Sequence, residues 1–149
     1  MLTRGIAVLG VVLLLAGFLA GCGSPAESAI PEDAALKITG KVDKEIGWTE
    51  EAVRAMETTE AVSTNSKGES ETYTGVALNT LLEMAGPASE ATRATLVADD
   101  GSTAEMALAD LQSCADCIAS FRNQGGFSVV APGFAKGVQL KGLVEIQVH

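Results

Sequence analysis

Histidine is nearly absent from this chain, the single copy being His149 at the last position. One imidazole at a chain end leaves no base from which a Ser-His-Asp or Cys-His catalytic set could be assembled. Cysteine is almost as scarce, with three copies at Cys22, Cys114 and Cys117. The Cys114-x-x-Cys117 spacing has neither a second such pair nor a nearby histidine to complete a zinc site. A haem-attachment motif would need histidine where Ile118 stands. Beyond Cys22 the only arginines are Arg54, Arg93 and Arg122, so there is little with which to grip a phosphate. Ten basic residues against nineteen acidic ones give a formal net charge of −9, a surface that repels nucleic acid. The acids are scattered singly or in pairs, the pattern of a solvated surface and not of a binding patch. Asp99, Asp100 and Glu105 gather near one predicted hairpin, but their spacing fits no calcium loop and turn chemistry accounts for them. Trp48 and Tyr73 are alone of their kinds. Each could stack on a ligand, but packing at the edge of the core is the favoured reading.

What the chain does have begins with an apolar leader. Arg4 is followed by an apolar run that ends in small residues, the layout of a secretory signal. Leu19-Ala20-Gly21-Cys22 resembles the lipobox of bacterial lipoproteins. That resemblance implies a signal peptide over residues 1–21, acylation of Cys22 and attachment to membrane lipid outside the cytoplasm, the several chains holding where one would not. An uncleaved spanning helix is the alternative, since the run approaches the roughly 20 residues a bilayer requires. Nine basic and all nineteen acidic residues follow the cleavage point, leaving the mature chain at a formal −10. Residues 22–35, rich in Ser, Pro, Ala and acids, read as a lipidated cysteine and extended tether. Residues 36–149 are enough for one domain with its own core.

Within that domain Leu36, Ile38 and Val42 alternate as a half-buried strand should. Thr49 caps a predicted helix whose stripe is Ala52, Val53 and Met56. Glu60–Asn65 and the stretch around Tyr73 read as strands. The clearest helix lies over 75–87, where Val76, Leu78, Leu81, Leu82 and Ala85 share one face and Gly86-Pro87 ends it. Residues 94–108 predict a hairpin turning at Asp99-Asp100-Gly101, followed by one helical turn into the cysteines. Two compact apolar runs, 127–132 and 142–148, predict buried strands. Many short strands, few helices and no repeat indicate an α+β domain.

The order of these pieces is itself informative. Ile38-Thr-Gly-Lys-Val42, a helix, "YTGVALNTLLEMAG", "ADDG" with "MALADL", then "VVAPG" and "KGLVEIQV" together resemble the sulfite-oxidase-type molybdopterin-binding domain. The resemblance spans roughly Leu36–His149 and implies a compact α+β fold with a mixed, partly barrel-like sheet. In catalytic members of that family a cysteine thiolate just before the Tyr-x-Gly-Val-x-Leu helix binds molybdenum. Here Ser63 or Thr64 falls near that place, and a hydroxyl is a poor substitute for a soft thiolate.

Cys114 and Cys117 lie far beyond that segment. A redox pair would want a helix N-terminus in a βαβ setting, whereas a helix ends before Cys114 and a strand follows Cys117. A local disulfide across a tight turn is therefore favoured over a redox-active pair or a metal site shared with a partner. The expected protein is a membrane-anchored lipoprotein presenting a non-catalytic, molybdopterin-oxidoreductase-like binding module for a small ligand or protein partner, with no nucleic acid and no cofactor. Its ligand face is expected around Trp48, Ser63, Thr64, Asn65 and Tyr73. The alternative is a molybdopterin-dependent oxidoreductase, or an electron-transfer accessory using Cys114 and Cys117.

Overall fold

The computed structural model describes residues 30–149. The signal peptide, Cys22 and most of the tether therefore lie outside the described residues. Ile30–Ala35, read above as the end of a tether, instead turn back against the domain. Ala34 N–H donates to Pro31 O (3.1 Å) and Ala35 N–H to Trp48 O (2.8 Å).

Alternating apolar residues build the centre. β1 (Leu36–Gly40) buries Leu36 and Ile38, pairs antiparallel with β2 (Ile46–Trp48) and parallel with β9 (Lys141–Val148). β9 is long enough to take β8 (Phe127–Val130) along its first residues and β5 (Arg93–Ala98) along its last. The remaining strands are β3 (Thr59–Thr64), β4 (Ser70–Ala77), β6 (Thr103–Ala107) and β7 (Ile118–Phe121). They complete a nine-stranded mixed sheet of order β2-β1-β9-β8-β7-β4-β3, with the β5–β6 hairpin branching from β9. This is the expected α+β, mixed-sheet fold. Among the described residues the sheet does not close; β2, β3 and β6 each pair on one side only.

α1 (Glu50–Arg54) starts where Thr49 Oγ1 accepts from Ala52 N–H, as its sequence predicts. α2 (Leu78–Ala85) and α3 (Leu108–Ser113) bury Leu78, Leu81, Leu82, Leu108 and Leu111 against the sheet. Gly86, in the left-handed region at φ 67°, ends α2, a conformation that a Cβ disfavours. Among the described residues no helix is long and apolar enough to cross a membrane.

α2 is shorter than its periodicity predicts. Gly75, Val76 and Ala77 belong to β4, opposite Ser120, Ala119 and Ile118 of β7. The helix begins only at Leu78, whose N–H donates to Cys117 O (2.8 Å). Val76 is buried in either conformation, so its place in an apolar stripe does not distinguish them; a strand partner more than forty residues away decides. Gly75 is required there: a Cβ would collide with Ala119 O and lie 2.6 Å from Ser120 Cα.

His149 is not the loose end its position suggests. Its N–H donates to Arg93 O (2.8 Å), and its Nε2 lies 3.1 Å from Thr95 Oγ1.

Candidate functional site

The β3–β4 hairpin projects beyond β7, because β4 pairs with β7 only through Gly75–Ala77 while its earlier residues pair with β3 alone. Between this hairpin and the β8–β9 connection lies a groove of about 710 Å³, within the range of small-molecule clefts. Ser63, Thr64, Asn65 and Tyr73 line it. Trp48 does not: it is buried in β2 opposite Leu36, at the other end of the strand order. It is a core residue, placed there because the short β2 must cover β1.

Three of the four groove residues are already engaged within the hairpin. Asn65 Oδ1 accepts from the N–H groups of Lys67 (2.9 Å) and Glu69 (3.1 Å), and Nδ2 donates to Glu69 Oε2 (2.8 Å). Thr64 Oγ1 lies 2.9 Å from Ser70 Oγ. Ser63 is half-buried and makes no side-chain hydrogen bond among the described residues. Tyr73 packs its ring on Ala61, Ile118 and Val130 and donates its hydroxyl to Glu71 Oε2 at 2.7 Å. That carboxylate raises the phenol's pKa above its ordinary value, chiefly by accepting from the neutral form.

The opposite wall was missed from sequence. Phe134, Lys136, Gln139 and Lys141 come from the β8–β9 connection and the first residue of β9. Gln139 fixes the connection by pairing with both backbone groups of Ala131, Oε1 accepting at 3.2 Å and Nε2 donating at 2.8 Å. Lys141 opens the "KGLVEIQV" word and the other three lie between it and "VVAPG", words that carry the fold resemblance but no chemical role.

A second groove, of about 600 Å³, adjoins the first, since Tyr73, Ser128 and Lys141 line both. Its floor includes Phe121 and Ser120, and its rim the β7–β8 turn with Arg122, Asn123 and Gln124. α1 braces that turn. Glu50 Oε2 accepts from Gly126 N–H (3.1 Å), while Arg54 donates to Glu50 Oε1 (2.8 Å) and Arg122 O (3.0 Å) and lies 4.8 Å above the Phe121 ring. The Gly126 N–H first, and Arg54 second, hold the Glu50 carboxyl below its ordinary pKa.

A molybdenum-pterin centre does not suit this donor set. Among the described residues none lining the first groove is a cysteine, histidine, aspartate, glutamate or methionine, whereas the family resemblance implies a soft thiolate as the metal's ligand. Cys114 and Cys117 are joined in a disulfide with Cα atoms 5.4 Å apart. They precede Ile118, which pairs with Ala77, while Ser63 pairs with Glu71. Six residues of β4 thus separate the two places, about 20 Å. Among the described residues no group of three or more His, Cys, Asp or Glu side chains could hold a metal, Asp99, Asp100 and Glu105 included. Asp100 instead accepts from Ser102 N–H at 2.8 Å and Glu105 pairs with Arg93.

No family model matches the chain, and no curated protein matches it in sequence. Among solved structures it is similar to the sulfane dehydrogenase SoxCD from Paracoccus pantotrophus, with TM-score 0.64 and 18% identity over 76% of this chain. The aligned part spans 37% of that protein's length. At this identity the likeness is one of fold alone.

Proposed function

We propose that the domain is a binding module without chemistry of its own, held outside the cytoplasm by an acylated Cys22. The observation carrying this reading is the composition of the first groove. It has the volume and mixed apolar–polar lining of a ligand site, yet presents hydroxyls, amides and lysines where a metal centre would need sulfur, and no Ser-His or Cys-His pair lines it among the described residues. Ligands for it are small molecules or a segment of a partner protein.

The fold likeness to a sulfane dehydrogenase favours one second reading, a molybdopterin-dependent oxidoreductase or its electron-transfer accessory. Metal analysis of the chain purified from a molybdopterin-producing host separates the two. Molybdenum well below one atom per chain is expected, and a stoichiometric amount overturns the binding-only reading. Membrane attachment is tested separately: Cys22→Ser should release the chain from the membrane fraction.

A further inference from the structure

The charge around the two grooves opposes that of the whole molecule. Of the nine basic residues among the described positions, Arg122, Lys136 and Lys141 line them; of eighteen described carboxylates only Glu71 does, and Tyr73 already occupies it. None of the three cations forms an ion pair among the described residues, whereas Lys37, Arg54 and Arg93 do. In a chain at −9 three cations without ion pairs thus line this region, while the carboxylates that line or border it, Glu71, Glu69 and Glu50, are held by Tyr73, Asn65 and Arg54.

Shape narrows the occupant. Together the grooves exceed the roughly 300–1,000 Å³ of a small-molecule cleft. From β3 to β9 they cross four strand spacings, about 19 Å, the length of roughly six residues of extended peptide. The lip of the first groove is formed by Val62, Ser63 and Thr64 of β3, a strand with one side unpaired. Val62 is 54% exposed, one of only two large apolar side chains so placed among the described residues. A peptide crossing the strands in this direction is held by side-chain pockets and charges of the grooves, not by the ladder of a strand edge.

We propose that the two grooves form one site for an extended acidic peptide segment of a partner protein, with apolar side chains seated near Val62 and Phe134 and carboxylates facing Lys136, Lys141 and Arg122. This assignment rests on the reading that the first groove binds and does not catalyse.

The test uses the detergent-solubilised full-length chain and a fluorescein-labelled peptide of alternating glutamate and leucine, followed by polarisation. Saturable binding that weakens with salt is expected, with little binding of the glutamine–leucine counterpart. Lys141→Glu, an exposed position at the junction of the grooves, should weaken binding about tenfold. Lys44→Glu, exposed and outside both grooves, changes net charge equally and should stay within about twofold. Equal weakening by both variants, equal binding of the neutral peptide, or displacement by inorganic phosphate overturns the assignment. If the molybdenum-free protein ignores the acidic peptide, this assignment alone is lost; stoichiometric molybdenum removes the reading beneath it.

Discussion

The Tyr73 hydroxyl donates to Glu71 Oε2 across 2.7 Å, joining two residues that stand two apart on β4 and so face the same way. Tyr73, the only tyrosine of the chain, lines both grooves, and Glu71 is the only carboxylate among the described residues that lines either. Because the carboxylate stabilises the neutral phenol and repels the phenolate, Tyr73 titrates above the usual value near 10. With one tyrosine present, the phenolate absorbance band follows this group alone. Glu71→Gln should move the titration back toward the ordinary value. An unchanged midpoint would show that the hydrogen bond is not formed in solution.

Glu50 offers a second pH-dependent handle, on stability. Its carboxylate accepts from Gly126 N–H and from Arg54, so its pKa in the folded state lies below that of the unfolded chain, near 4.3. The sign follows from proton counting. The unfolded chain binds the proton more readily, so the stability this group contributes is present above about pH 4.3 and is lost as pH falls through the lower folded value. Glu50→Gln should therefore melt below the parent at neutral pH, with the gap closing in acid. A gap that is constant with pH would assign the loss to packing and not to charge.

How much of this could be read from the chain differs from element to element. The cap at Thr49, the stop at Gly86 and the Asp99–Gly101 turn are local devices, legible from a few adjacent residues, and each is found where expected. Val76 was misplaced because the β4–β7 ladder that holds it connects distant segments. Trp48 was read both as packing at the core edge, which its burial bears out, and as part of the ligand face, from which the short β2 removes it by laying it over the core. The cationic wall was hidden most deeply. Arg122, Lys136 and Lys141 are ordinary surface residues in sequence, and the acidic total pointed away from any anion; only the fold gathers them, while the carboxylates that line or border the grooves are held by Tyr73, Asn65 and Arg54.

Gly75 tests the junction that sets where the helix begins. With Ala119 O where its side chain would go and Ser120 Cα close behind, any larger residue must push β7 off β4. Gly75→Val should destabilise the domain by about 3 kcal/mol or more, measured as a lowered denaturant midpoint. The same substitution should reduce peptide binding, since the β7–β8 turn carrying Arg122 moves with β7. A variant of parental stability would mean that the β4–β7 pairing is wrong at this position.

The disulfide is the last element whose weight can be set by magnitude. Cys114 and Cys117 are three apart, and closing so short a loop contributes about 2 kcal/mol at most through the unfolded chain. Its two ends are unlike: Cys117 is fully buried in the core at the start of β7, whereas Cys114 caps α3 and is partly exposed. A buried thiol behaves as a small apolar group, so reduction should leave the fold intact and lower the melting temperature by less than about 8 °C. Alkylation of the reduced protein, read by peptide mapping so that Cys22 is counted apart, should modify Cys114 quickly and Cys117 only as fast as the domain opens. Rapid, equal modification of both would show that the sulfurs are jointly accessible, and would return the pair to consideration as an electron-transfer centre.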